Sequence, residues 1–93
     1  MIVAITTWDL HLPACHSLKE KRSVLKPLTS ALRRTLNVSV AETGQQDLWQ
    51  RAEIACAVVG SDRSAVDGTL RAADRMVEEA DGVRIVETAT VFR

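Results

Sequence analysis

Four runs rich in β-branched and apolar residues, separated by two stretches with apolar residues at helical spacing, predict an α+β chain of order β-α-β-β-α-β. The short link between the second and third runs favours an antiparallel hairpin. Right-handed crossovers then give a four-stranded antiparallel sheet with both helices on one face, the ferredoxin-like arrangement. Residues 1–93 read as a single domain.

Ile2–Leu10, IVAITTWDL, is the first strand, apolar at both parities near its start as a central strand should be. His11–His16 contains Pro13 and is a loop. The helix Ser17–Leu36 opens on a capping box, with Ser17 three residues before Glu20. Leu18, Leu25, Leu28, Leu32 and Leu36 fall within an arc of roughly 80°, the core stripe. Lys19, Arg22, Lys26 and Arg33 fall within roughly 60° of one another on a second face. Lys21 projects into the leucine arc, where a charge must snorkel outward or find a buried partner. Pro27 removes the bond to the Ser23 carbonyl and predicts a kink or local opening.

Asn37 is the expected helix stop, followed by a second strand, Val38–Thr43, and a turn or bulge over Gly44–Trp49. The third strand, Arg51–Gly60, is the most apolar segment. It carries Ile54, Cys56 and Val58 on one side and Ala55, Ala57 and Val59 on the other. Because the fold leaves one sheet face without helices, this double apolarity predicts that the free face, or an edge strand, receives a second copy. Ser61 or Ser64 caps the second helix, which runs to about Ala80 and is closed by Gly82. Val83–Phe92 is the last strand.

Composition narrows the function classes. Twelve basic and twelve acidic residues cancel, which excludes non-specific coating of nucleic acid but leaves room for a local basic patch. Two cysteines, no secretory leader pattern and no apolar run near ~18 residues predict a cytoplasmic protein without a membrane partner. Asp9, His11, Cys15 and His16 do not make up a zinc set, so no metal is expected. No nucleophile elbow, phosphate loop or dinucleotide fingerprint is present, and neither catalytic residues nor a cofactor are expected. The third strand has no aromatic residue, which excludes base stacking in the manner of an RNA-recognition motif.

The segment Glu42–Arg51, ETGQQDLWQR, is dense in functional groups: Gln45, Gln46, Asp47, Gln50 and Arg51 offer hydrogen bonds beside the large ring of Trp49. Trp49 either stacks on a base or folds back on the core, with Asp47 capping a turn and Arg51 pairing with Glu42 or Glu53. Glu42, Gln46, Asp47, Trp49, Gln50 and Arg51 of this segment, together with Lys19, Lys21, Arg22, Lys26 and Arg33, are the candidate binding residues. Lys21 with Glu42 or Asp47 also forms the weaker alternative of an enzyme or small-ligand site built on a buried charged pair.

SLKEKRSVLKPL from Ser17 and NVSVAETGQQDLWQRAEIACAVV from Asn37 resemble the YlxP-like family of small bacterial proteins without an assigned function. The resemblance spans essentially the whole chain and implies the same ferredoxin-like domain. Members of the family tend to be encoded beside ribosome-maturation and translation-initiation genes. By association, that implies a partner in ribosomal RNA or a ribosome-assembly factor, and it implies no catalytic residue.

Overall fold

The computed structural model describes residues Met1–Arg93. The elements are β1 (Ile2–His11), α1 (Leu18–Thr35), β2 (Ser39–Gly44), β3 (Arg51–Gly60), α2 (Arg63–Glu78) and β4 (Arg84–Phe92). The strands form one sheet in the order β2-β3-β1-β4 with every neighbouring pair antiparallel. This is the expected ferredoxin-like fold.

Alternation along each strand sorts the two faces. Ala4, Thr6, Trp8 and Leu10 of β1 and Ala52, Ile54, Cys56 and Val58 of β3 are buried beneath the helices. Leu25, Leu28 and Leu32 of α1 and Val66, Ala73 and Val77 of α2 close the core from above. Leu18, expected in that stripe, is 38% exposed, because the first turn of α1 overhangs the β2–β3 connection instead of the sheet. The indole of Trp8 is fully buried, and its Nε1 donates to Asp74 Oδ1 at 3.0 Å, tying α2 to β1.

Local signals set the boundaries. Ser17 Oγ accepts from the Glu20 N–H at 3.1 Å, while Glu20 Oε1 accepts from the His16 N–H at 2.8 Å, one residue before the cap. The helix continues through Pro27, whose ring lies on the exposed side. It ends at Thr35, with Leu36 extended, rather than at Asn37. Asp62, not Ser61 or Ser64, caps α2, its Oδ1 accepting from Ala65 N–H at 2.9 Å. The helix stops at Glu78, and Gly82 follows with φ of 81°, the left-handed conformation that glycine adopts freely.

The free face is apolar over only part of its area. Register aligns Ser39, Ala57, Ile5 and Val91 in one row and Ala41, Ala55, Thr7 and Ala89 in the next. A third row sets Glu53, Asp9 and Glu87 side by side. On the helix side, α2 packs mainly over β3 and β1, which leaves Thr88 and Thr90 of β4 exposed beside it.

Two outcomes follow from this packing. Asp74→Ala leaves the Trp8 indole N–H buried without an acceptor and should lower stability by about 1–2 kcal/mol, read by urea unfolding. Burial raises the Cys15 thiol above the ordinary value of 9.0, with Glu20 adding to the rise and Lys21 opposing it. Burial also raises Cys56, against a backbone hydrogen bond at Thr6. Above pH 9.0 the unfolded thiols ionise first, so the native state holds more protons and stability should fall as pH rises. Cys15→Ala/Cys56→Ala should flatten that alkaline decline.

Candidate functional site

Lys21 supplies the organising contact. Its position in the leucine arc puts it 2% exposed against the β2–β3 connection. Its Nζ donates to Gln45 O and to Leu48 O, both at 2.8 Å, and lies 3.0 Å from Glu42 Oε2. An ammonium has three protons and no acceptor; two of them go to carbonyls, and the carboxylate beside it supplies the opposite charge. The Glu42 contact is a charge pair rather than a directed hydrogen bond, since Oε2 accepts none. The partner is therefore Glu42, and Asp47 stays exposed without a hydrogen bond.

The connection itself is built around these bonds. β2 pairs with β3 through a bulge between Glu42 and Gly44, and Gln45 then adopts φ of 57°. That left-handed conformation costs a non-glycine residue roughly 1–2 kcal/mol. Gln45 is held there by its carbonyl, which accepts from both Lys21 Nζ and the Leu48 N–H. Its side-chain Nε2 donates to Asp9 Oδ1 at 2.7 Å, and Arg51 Nη2 donates to the other oxygen of Asp9 at 2.6 Å. Arg51 thus pairs with Asp9 on β1, and not with Glu42 or Glu53.

The predicted SLKEKR and QDLWQR stretches meet here. α1 and the β2 edge enclose an open groove of about 580 Å³. It brings together Lys21, Arg22, Lys26 and Arg33 from the helix with Glu42, Gln46 and Asp47 from the strand and connection. The other four candidate residues lie outside it. Lys19 lies on the adjoining outer face of α1 with Arg22 and Lys26. Trp49 is 51% exposed beside the half-exposed Leu48, so the indole does not fold into the core. Gln50 Nε2 donates to Pro13 O at 3.4 Å, and Arg51 is committed to Asp9.

The basic residues divide by their partners. Arg33 Nη2 donates to Val40 O at 2.8 Å, which ties the end of α1 to the β2 edge. Lys19, Arg22 and Lys26 make no ion pair and are exposed. Lys21 and Glu42 neutralise one another, so the groove presents Arg22, Lys26 and Arg33 against Asp47, a net positive strip. Asp9, weighed from the sequence only as a metal-ligand candidate, and Gln45, read there only as one of several hydrogen-bonding groups, position the connection. Their bond joins residues 36 apart, and no local pattern carries it. Among the cysteine–histidine group, Cys15 is buried, His16 is exposed and Asp9 is occupied by Gln45 and Arg51. No helix is long and apolar enough to cross a membrane.

Residues 3–90 match the model of the family described as "Protein of unknown function (DUF503)", and the chain belongs to that family. It is also 44% identical over 55 residues to "Uncharacterized protein YlxP" of Bacillus subtilis (strain 168). That match covers 59% of this chain and 60% of the length of its relative. The YlxP-like resemblance read from the two motifs is thereby established.

Lys21→Met should cost about 3 kcal/mol in urea unfolding, because it strands Glu42 and leaves the Gln45 and Leu48 carbonyls without their donor. Glu42→Gln should cost about 1 kcal/mol, since the two carbonyls still hold the ammonium. Their double-mutant cycle should give a coupling well above the additivity error.

Proposed function

We propose that this member of the DUF503 family is a non-enzymatic RNA-binding protein whose ligand is ribosomal RNA, held along α1. One observation carries the reading: Lys19, Arg22 and Lys26 stand unpaired on one helix face beside a groove that Lys21 lines. Unpaired cations on a rigid helix fit phosphates, and their binding energy comes from the release of condensed counterions. Gln46 borders the same groove, and the half-exposed Trp49 follows three residues later, giving an amide for a base edge and a ring for stacking. Gln46 Nε2 donates to Glu42 O at 3.2 Å, which leaves its side-chain oxygen as the free acceptor. The gene neighbourhood that the family resemblance implies points to the same ligand. Gln50 and Arg51 serve instead to hold the connection in place.

A second reading is association between copies through the sheet. It is favoured by the exposure of Ile5, Val59 and Val91 on the helix-free face. A basic helix on each copy makes the two readings compatible.

The test is co-sedimentation with purified ribosomal subunits at several salt concentrations. Wild type should travel with one subunit, and Lys19→Glu/Arg22→Glu/Lys26→Glu should remain folded at the top of the gradient. On a single-stranded ribosomal RNA fragment, Lys19→Ala/Arg22→Ala/Lys26→Ala should flatten the slope of log K against log salt by about 2. Trp49→Ala should weaken binding by roughly tenfold with that slope unchanged. Binding by neither subunits nor fragment would remove the RNA reading.

A further inference from the structure

The two edges of the sheet differ. The order β2-β3-β1-β4 leaves β2 and β4 each with one side unpaired, a template for another strand. On β2 both outward carbonyls are already used: Val40 O accepts from Arg33 and Glu42 O from Gln46. No comparable cap protects β4. Reciprocal bonds join the N–H and C=O of Val3 and Arg93 at 3.4 and 2.7 Å. Antiparallel alternation therefore turns Arg93, Val91, Ala89 and Glu87 toward β1, and turns the N–H and C=O of Phe92, Thr90 and Thr88 outward. No hydrogen bond within the chain outside the ladder reaches those outward groups. A bulge opposite Asp9 and Leu10 ends the regular edge at Glu87. The open stretch is thus Glu87–Arg93.

We propose that this stretch pairs antiparallel with the same stretch of a second copy across a two-fold axis, joining the two four-stranded sheets into one. The inference rests on the second reading above, association through the sheet, and replaces its face with an edge. Two-fold symmetry makes such contacts reciprocal, and using the whole regular stretch centres them on Thr90. Thr90 then faces its own copy, Thr88 faces the partner's Phe92, and Ala89 faces the partner's Val91. All the outward-bonding residues meet one another, as an antiparallel ladder requires. Glu87 falls opposite the partner's Arg93, and Arg93 opposite the partner's Glu87. These are non-hydrogen-bonded positions, where facing side chains lie closest. Sliding the axis by one residue, to Ala89, still pairs Thr88 with Thr90 but sets Glu87 against Val91 and Phe92 against the bulged Val86, so both ion pairs are lost and the regular ladder shortens. Charge and bulge select the same register.

Beside this edge, α2 and β4 flank an open groove of about 660 Å³ containing Thr88, Thr90 and Phe92. Arg63 lies over the Phe92 ring at 3.6 Å from its centroid. The partner's strand would continue the floor of that groove while the two α2 helices stay apart.

Sedimentation equilibrium of the full chain, from low micromolar to several hundred micromolar, tests the proposal. Wild type should fit a monomer–dimer equilibrium. Glu87→Arg and Arg93→Glu should each weaken the dimer roughly tenfold or more by setting like charges opposite one another at two places. Glu87→Arg/Arg93→Glu should restore it. Thr88→Pro deletes an outward N–H that no bond inside the monomer uses, so it should keep the fold by circular dichroism and abolish the dimer. Should that variant fail to fold, the charge exchange decides alone. Val59→Asp, on the helix-free face, should leave association intact. A wild type that stays monomeric throughout overturns both this inference and the second reading. A dimer broken by Val59→Asp yet indifferent to Glu87→Arg and Thr88→Pro overturns the edge and keeps the face.

Discussion

A single buried ammonium decides the shape of the side of this protein that carries the basic groove. Lys21 occupies a place on α1 that the leucine spacing assigns to the core, and the chain answers by bringing two carbonyls and a carboxylate to it. Each of those acceptors belongs to β2 or to the connection after it. Satisfying the charge therefore fixes where that connection runs, and removing any part of the arrangement leaves buried polar groups unmatched. The left-handed Gln45 is one consequence, stabilised because its carbonyl is needed twice.

The same contact sorts the cations of α1. Lys21 faces inward and is spent on the fold, while Arg33 anchors the far end of the helix to the β2 edge. Lys19, Arg22 and Lys26 have no such task and remain available to an outside ligand. Their net effect is local, since the chain as a whole is neutral. A neutral protein with one concentrated basic strip is suited to a defined anionic partner and poorly suited to coating nucleic acid at large.

The sheet shows an analogous division. The β2 edge is closed by two side chains that also border the basic groove, so one set of residues serves both purposes. At the opposite edge β4 is long, weakly covered by α2 and without caps. The helix-free face is a mixture: alanine and valine rows give way to the Glu53, Asp9 and Glu87 row, where Asp9 is already bound. The asymmetry between the edges separates the side that carries the basic strip from the side whose strand edge is unpaired.

Much of this was legible in the residues. Alternation in β1 and β3, the Ser17–Glu20 cap and the leucine spacing of α1 depend on neighbours within a few positions, and the fold they predicted is the one observed. The misfit of Lys21 in the leucine arc left it to snorkel outward or to find a buried partner, and the structure shows the second; the SLKEKR and QDLWQR motifs do meet. Other features were invisible because they join distant residues. The Gln45–Asp9–Arg51 cluster and the Trp8–Asp74 bond link positions 36 to 66 apart. Local chemistry alone misplaced Leu18 and passed over Asp62, because the overhang of α1 and the first residue of α2 are set by packing. The sequence alone determined the order of elements, the strand faces and the basic strip, all of which are periodic properties. Only the tertiary structure decided which charges were spent, where the groove opened and which sheet edge stayed free, because those depend on distances between segments that periodicity does not encode.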